Sequence, residues 1–440
     1  MVERAVSTSI STQAANLAFG KYNALYAATK PDNRSHVLQV NSIVDFDPQD
    51  PETYANGIKM IREGIPHALV RMDIDFTNAC NNNCPDCFAR GLREGYPGEI
   101  PYSRAENLTA DLKHLGCDCV RMTGGGDPLK HPDFTDLVGL LGSNFRTLVE
   151  TNGDYLCKPG YTEAIAHSAH RIRFSVDAGD NKTRSLTHRP EDSSHTYDQL
   201  VRNIDLLRKK ADSITDRDSG LLIGASFIYG PQNYRLVGKF LEDMANIGVN
   251  WVQVKPALIK GKHIDDQEIV TTVLEQIEQI RSQQLKGFIL HLPDRVSFDP
   301  GKEMVKCWTT QLRGFVLANS LLSICNLVRN LEVPFAKIGN VGDEDHPVQN
   351  LLFSDQGRSQ INTVQQTAPK GCRYCIDKVT NITLQNMADV LTIDPDAKFQ
   401  RAQVTQGENN ILEGDDSNVI KITLNPKDHQ TFSEGSITEF

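Results

Sequence analysis

The sequence predicts an α/β protein: a partial (β/α)6 TIM-like barrel with smaller units before and after it. Three observations predict it. Six strand-like segments alternate with six helical ones inside residues 67–292. The motifs that carry chemistry fall just after those strands, at the carboxyl ends where such sheets bind ligands. The alternation stops after Leu292, where Pro293–Lys302 reads as a linker. Six units are too few to close a barrel, so the sheet is expected to stay open and curved.

Residues 1–66 form an N-terminal extension without a chemical motif. Ala14, Leu17, Tyr22, Leu25 and Tyr26 predict a helix ended by Pro31, and Tyr54, Ile58 and Ile61 a second. The barrel strands are expected at Leu69–Asp75, Cys119–Met122, Arg146–Glu150, Arg171–Val176, Leu221–Phe227 and Trp251–Lys255. Helices are expected at Ser103–Leu115, Asp133–Leu141, Thr162–Ala169, Thr196–Lys210, Tyr234–Ile247 and about Thr271–Gln284. Residues 303–378 hold a second group of cysteines. Residues 379–440 are a polar C-terminal extension with one short strand candidate, Ile420–Leu424.

Composition narrows the function. The chain has 440 residues and a formal net charge of -10, with no long basic run. A nucleic-acid groove needs clustered Lys and Arg, so no nucleic acid is expected as partner. No run of about 18 apolar residues exists, so no membrane span is expected. The opening MVERAVSTSISTQ lacks the apolar core of a signal peptide, which predicts a cytoplasmic protein. There, ten cysteines are better explained by metal or redox chemistry than by disulfides.

The segment DIDFTNACNNNCPDCF carries Cys80, Cys84 and Cys87 as Cys-x3-Cys-x2-Cys, just after the first strand. Three thiolates in one tight loop can hold three corners of a [4Fe-4S] cube and leave the fourth iron open to a ligand. A closed structural zinc site, with Cys117 or Cys119 as fourth ligand, is the alternative on spacing alone.

The motifs at later strand ends favour the cube. In MTGGGDPLKHPDF, Gly124, Gly125 and Gly126 permit close backbone approach, and Asp127 can accept from an ammonium group. ETNG puts Asn152 at the mouth of the sheet. In RFSVDAG, Ser175 and Asp177 stand two apart and can grip ribose hydroxyls. Arg189 follows, and a guanidinium suits a carboxylate. Each alone reads as a turn, a cap or a surface ion pair. Their order at successive strand ends does not.

On these motifs residues 69–255 resemble the radical S-adenosylmethionine (SAM) superfamily. The resemblance implies two roles for the strand ends: Gly124 to Pro128 contact the methionine amine, and Ser175, Asp177 and Arg189 hold ribose and carboxylate. Ser226 and Val254 would border the nucleoside. The aromatic residue usual before the third cysteine is Asp86 here, and Phe88 takes its place against adenine. The resemblance also implies reductive SAM cleavage to a 5′-deoxyadenosyl radical that abstracts hydrogen from a substrate C–H bond. Its electron comes from a donor of the flavodoxin or ferredoxin type.

Cys307, Cys325, Cys372 and Cys375 are spaced Cys-x17-Cys-x46-Cys-x2-Cys. Four thiolates close a zinc tetrahedron or fully ligate a [4Fe-4S] cluster, and spacing does not separate these. The unit resembles the twitch form of the auxiliary-cluster (SPASM-like) domains that follow many radical SAM barrels. The resemblance implies one auxiliary [4Fe-4S] cluster. Cys117, Cys119 and Cys157 remain, as packing thiols or as hydrogen donors to a substrate radical. Two substrate classes compete. A ribosomally made peptide, epimerised or oxidised during maturation, is favoured by the long terminal extensions. A sugar or aminocyclitol, dehydrogenated or epimerised, is favoured by the twitch spacing. A non-catalytic iron–sulfur or zinc protein leaves the strand-end motifs unexplained.

Overall fold

The computed structural model describes residues 35–39, 51–87, 89–95, 97–214, 220–259, 262–263, 266–282, 289–291, 306–325, 337–342, 347–371, 378–401 and 419–423. The expected helix around Ala14–Tyr26, the linker Pro293–Lys302, Phe88, Cys372 and Cys375 lie outside them.

Strand β1 (Ser35–Gln39) and helix α1 (Pro51–Arg62) precede the barrel. The barrel strands are β2 (Arg71–Asp75), β3 (Cys119–Thr123), β4 (Arg146–Thr151), β5 (Arg171–Ser175), β6 (Leu222–Tyr229) and β7 (Trp251–Pro256). Each matches its expected segment to within two residues. They pair in parallel in chain order. After the hairpin of β8 (Leu258–Ile259) and β9 (Lys262–His263), β10 (Ile289–His291) adds a seventh parallel strand beside β7. β11 (Arg313–Val316) returns to pair in parallel with the opposite edge, at β2. β12 (Leu321–Ser323) and β13 (Lys337–Asn340) continue that edge antiparallel. Thus two strands beyond the six expected join the sheet in parallel. Segments of three and four residues are too short to show a period.

Helices fill the connections. They are α2 (Arg90–Gly95), α3 (Tyr102–His114), α4 (Phe134–Gly142), α5 (Tyr161–Ser168), α6 (Asn181–Thr187), α7 (Tyr197–Asp212), α8 (Val237–Ile247) and α9 (Gln267–Ser282). Local chemistry sets their ends. Thr196 caps α7 by accepting from the Gln199 N–H at 3.2 Å. Gly248, at φ 79°, ends α8 in the left-handed conformation that costs glycine nothing.

Strand residues alternate between two environments. Met72, Ile74, Val120, Met122, Val149, Ile172, Phe174, Ala225, Phe227, Val252 and Val254 join the main core, packed against the helices. Burying each large side chain contributes about 1.5–3 kcal/mol. The residues between them face the concave side, so the strands read as alternating although the sheet is parallel.

The rest of the chain is α10 (Thr309–Leu312), α11 (Val348–Leu352), α12 (Asp355–Gly371), α13 (Lys378–Ile393), β14 (Lys398–Arg401) and β15 (Val419–Thr423). The two terminal extensions, expected as separate units, share a core. Tyr54 and Ile58 of α1 pack with Trp308, Leu312, Leu384, Leu391 and Phe399. β15, expected at Ile420–Leu424, lies between β1 and β14 in a three-stranded antiparallel sheet. Among the described residues no helix is long and apolar enough to cross a membrane.

Candidate functional site

The carboxyl ends of β2 to β6 build one continuous site. The cysteine loop leaves β2, and Cys80, Cys84 and Cys87 are all half-buried on it. Its backbone is held from both sides. Asn78 N–H donates to Gly98 O at 3.1 Å and Asn83 N–H to Arg189 O at 3.1 Å. Glu191 N–H reaches Asn81 O at 2.9 Å. The loop also closes on itself, with Cys87 N–H to Cys84 O at 3.3 Å. Burial, then the charge of Asp127, pushes the Cys80 thiol up to about 11. Burial, then the neighbouring thiols Cys80 and Cys87, pushes Cys84 up to about 12. These thiols therefore keep their protons until a metal displaces them.

The glycine-rich segment after β3 lies directly beneath. Gly126 N–H donates to Thr77 O at 3.0 Å and Asp127 N–H to Ala79 O at 2.9 Å. A Cβ on Gly126 would stand 2.0 Å from Ala79 O, so only glycine allows this approach. Asp127 turns inward. Its carboxylate accepts from Leu129 N–H at 2.9 Å, the Thr151 hydroxyl at 2.9 Å and Asn152 N–H at 2.7 Å. Burial outweighs these bonds and lifts its pKa to about 6. The side chain expected to meet an ammonium group instead ties β3 to β4.

Asn152, at the end of β4, extends the network. Its side-chain amide donates to Asn81 Oδ1 at 3.0 Å, and Asn81 donates to Asp154 Oδ2 at 2.8 Å. Asp154 also pairs with Arg184, which is fully buried and donates to Asn152 O at 3.2 Å. Asn81, Asp154 and Arg184 were not singled out from sequence. The TNGD run offered the only local signal, and Arg184 offered none.

Ser175 ends β5. Asp177, just beyond it, has φ 47°, so the two do not continue one strand face. The Asp177 carboxylate accepts from Ile228 N–H at 2.6 Å, and His188 Nε2 stands 3.9 Å away. Burial lifts Asp177 to about 6. Arg189 is exposed, with φ 49°, beside the cysteine loop. Ser226 aligns with Ser175 and Gln253, whereas Val254 aligns with Phe227. Val254 is 1% exposed in the helix-facing core. A period of two puts the Val254 and Ser226 side chains on opposite faces, so Val254 can border a nucleoside in the mouth only through its backbone.

The concave side carries a charged ladder that sequence reading passed over. Asp73 pairs with Arg71 at 2.9 Å and with Arg121. Arg121 reaches Glu150 at 3.2 Å, and Glu150 reaches Arg173 at 2.7 Å. Lys255 of β7 lies on the same face, and burial followed by the charge of Arg173 lowers its pKa to about 8. The signal was the alternation of charge in RMDID, CVRMT and RIRFS.

The other thiols fall elsewhere. Cys117 and Cys119 sit at the amino end of β3, opposite the cysteine loop, and both are buried. Cys117 points its thiol at the Cys119 carbonyl, 3.2 Å away. Cys157 is exposed, on the turn after β4. Cys307 is buried, where Gln365 of α12 donates to its carbonyl at 2.7 Å. Asn381 of α13 approaches its sulfur at 3.9 Å. Cys325 is half-buried after β12.

Three thiols on one half-buried loop, with Cys80 and Cys87 close enough to raise the pKa of Cys84, fit three corners of a cube. Among the described residues no three His, Cys, Asp or Glu side chains gather tightly enough for a single metal ion. A cube, whose corners stand apart, makes no such demand.

Comparison with known proteins agrees with this geometry. Residues 74–218 match the model of the Radical SAM superfamily. The fold is similar to that of SuiB from Streptococcus suis bound to S-adenosylmethionine. The two are 16% identical over 74% of each chain, with a TM-score of 0.55. It is similar also to SuiB bound to the precursor peptide SuiA, 14% identical over 74% of this chain and 73% of that one, with a TM-score of 0.54. At these identities the likeness is one of fold. No curated protein matches the sequence.

Proposed function

We propose that the chain is a radical SAM enzyme that abstracts a hydrogen atom from a peptide substrate, in the epimerisation or oxidative maturation of a ribosomally made peptide. One observation carries the radical SAM reading. The cysteine loop, the glycine-rich segment and the ends of β4 and β5 are joined by hydrogen bonds into one rigid mouth inside the segment that matches the Radical SAM superfamily. Cys80, Cys84 and Cys87 would hold a [4Fe-4S] cluster, which would supply the electron for reductive cleavage of SAM bound at its open iron. The chain's own residues bind and orient. Backbone groups of Gly124 to Pro128 take the amine, because the Asp127 carboxylate is already engaged. Asn152 holds the mouth in shape. Ser175, Asp177 and Ser226 face the ribose, and Arg189 takes the carboxylate.

The peptide reading is supported by two facts. A protein of this fold, SuiB, binds a precursor peptide. The terminal extensions form a three-stranded sheet with β1 and β14 at its edges, which suits strand addition. A polar barrel interior favours the second reading, a sugar or aminocyclitol. An auxiliary [4Fe-4S] cluster on Cys307, Cys325, Cys372 and Cys375 belongs to the proposal. Its support is that Gln365 and Asn381, from the helices flanking residues 372–377, both hold Cys307.

The test is anaerobic reconstitution and assay of 5′-deoxyadenosine with dithionite. The wild type should release it, and the variant with Cys80, Cys84 and Cys87 all replaced by Ala should not. Equal release by both sinks the assignment. With a candidate peptide, one solvent deuterium at an inverted carbon marks epimerisation, and loss of two hydrogens marks oxidation. Cys157 is the remaining candidate donor, since Cys117 and Cys119 lie at the far end of β3.

A further inference from the structure

We propose that the concave side of the barrel binds a carboxylate or phosphate group of the substrate, at a cationic subsite made by Lys255 with Arg173 and Arg121. The proposal rests on the radical SAM reading for what is bound at the mouth, and goes beyond it in naming the chemistry that the substrate must carry.

The charges of the ladder do not cancel. By register Arg71, Arg121, Arg146, Arg171, Arg173, Lys255 and, on β11, Arg313 share the face of three carboxylates, Asp73, Asp75 and Glu150. Asp73 and Glu150 are each already shared by two guanidinium groups. Asp75 stands on β2, at the other wall, and Asp177 at the rim spends one oxygen on the Ile228 N–H. The surplus positive charge therefore falls on the β5–β7 side. There the Lys255 ammonium has no side-chain hydrogen bond and no ion pair within 4 Å among the described residues, and the carboxylates of Asp177 and Glu150 act on it only from farther off. The Nε atoms of Arg121 and Arg173 are buried and also lack a hydrogen-bond partner.

Lys255 is half-buried, and an ammonium drawn part-way out of water without a close partner is costly. An arriving anion removes that cost, and a neutral or cationic group does not. The subsite is open to solvent. The side chains of Arg121, Glu150 and Arg173 keep 15%, 12% and 19% of their exposure, although helices cover the outer face of the sheet. That access can come only from the concave side. The lowered pKa of Lys255 points the same way, since burial and Arg173 are both offset by a nearby negative charge.

The test uses the full chain, iron-free and also reconstituted with SAM, and isothermal titration calorimetry. The probes are a capped Gly-Glu-Gly peptide and glucose 6-phosphate. Their neutral counterparts are the capped Gly-Gln-Gly peptide and glucose. At least one acidic probe should bind roughly 10- to 150-fold more tightly than its neutral counterpart, the range of one charge-assisted hydrogen bond. Lys255→Met should remove that preference and Lys255→Arg should keep it. If Lys255→Met does not fold by circular dichroism, Lys255→Gln takes its place. Preference for the glutamate peptide assigns the group to a peptide, and preference for the phosphate to a sugar. Equal binding of acidic and neutral probes to the wild type, or a preference that survives Lys255→Met, overturns the proposal. So does loss of SAM binding in Lys255→Met, because it would put the lysine in the SAM site. A wild type that neither binds nor cleaves SAM sinks the radical SAM reading instead, and the iron-free titration still decides the subsite.

Discussion

In the loop after β2, three cysteines lie within the eight residues from Cys80 to Cys87; in the C-terminal part, four are spread from Cys307 to Cys375. The first group is placed locally. Its loop is anchored by Gly98, between α2 and α3, by Gly126 and Asp127 just after β3, and by Arg189 just after α6. The second group depends on packing between distant segments. Cys307 is held by α12 and α13, and α13 packs on α1 from the other end of the chain. A site built on strand ends inherits the rigidity of the sheet. One built on helix packing inherits every perturbation of that core.

The largest effect that can break this contrast is on iron. The wild type should hold about eight irons, and loss of Cys307 and Cys325 to Ala should leave about four, with SAM cleavage retained. Zinc in place of iron at the second group would remove the redox half of the comparison. Next is Asp154→Ala, which strands the fully buried Arg184. Breaking a buried pair this way costs about 3–5 kcal/mol, measurable by urea unfolding. The same variant should loosen the first cluster and leave the second. Asp177→Ala and Arg189→Ala should each weaken SAM binding by roughly 10- to 150-fold without loss of iron. Unchanged affinity in both would refute their placement. Smaller still is Tyr54→Phe, which removes the hydroxyl that accepts from Arg313 Nε at 3.0 Å and Nη2 at 2.8 Å. It should cost about 1–3 kcal/mol and lower iron at the second group only. Equal loss at both groups would mean that the two regions are mechanically one. Thr196→Ala, a helix cap outside both, should cost about 1 kcal/mol and leave iron unchanged.

The six barrel strands were legible because each combines an apolar face with turn residues at a regular interval. The first three cysteines were legible because a single loop contains them. What escaped was set by tertiary contact. Asp127 reads as a free acceptor in GGGDP, yet its partners are Thr151 and Asn152, two dozen residues later. Arg184 sits in an unremarkable helix and becomes the centre of a buried network only when α6 folds against β4. The charged ladder was visible as alternation within strands, but a parallel sheet is expected to bury both faces, which hid its meaning.

The pairing of β1 with β15 has a consequence for how the chain is made. Ser35 lies opposite Thr423. Closing a loop that long carries an entropic cost that grows only with the logarithm of its length, so the finished sheet is affordable. Its timing is not so free. During synthesis β1 leaves the ribosome long before the β15 segment it pairs with has been translated. Over that interval the barrel must reach its own stability from local βα contacts, while an unpaired edge strand is exposed to other nascent chains. Slower translation lengthens the wait and raises the hazard, and proteins that shield β1 until release should raise the yield of folded chain.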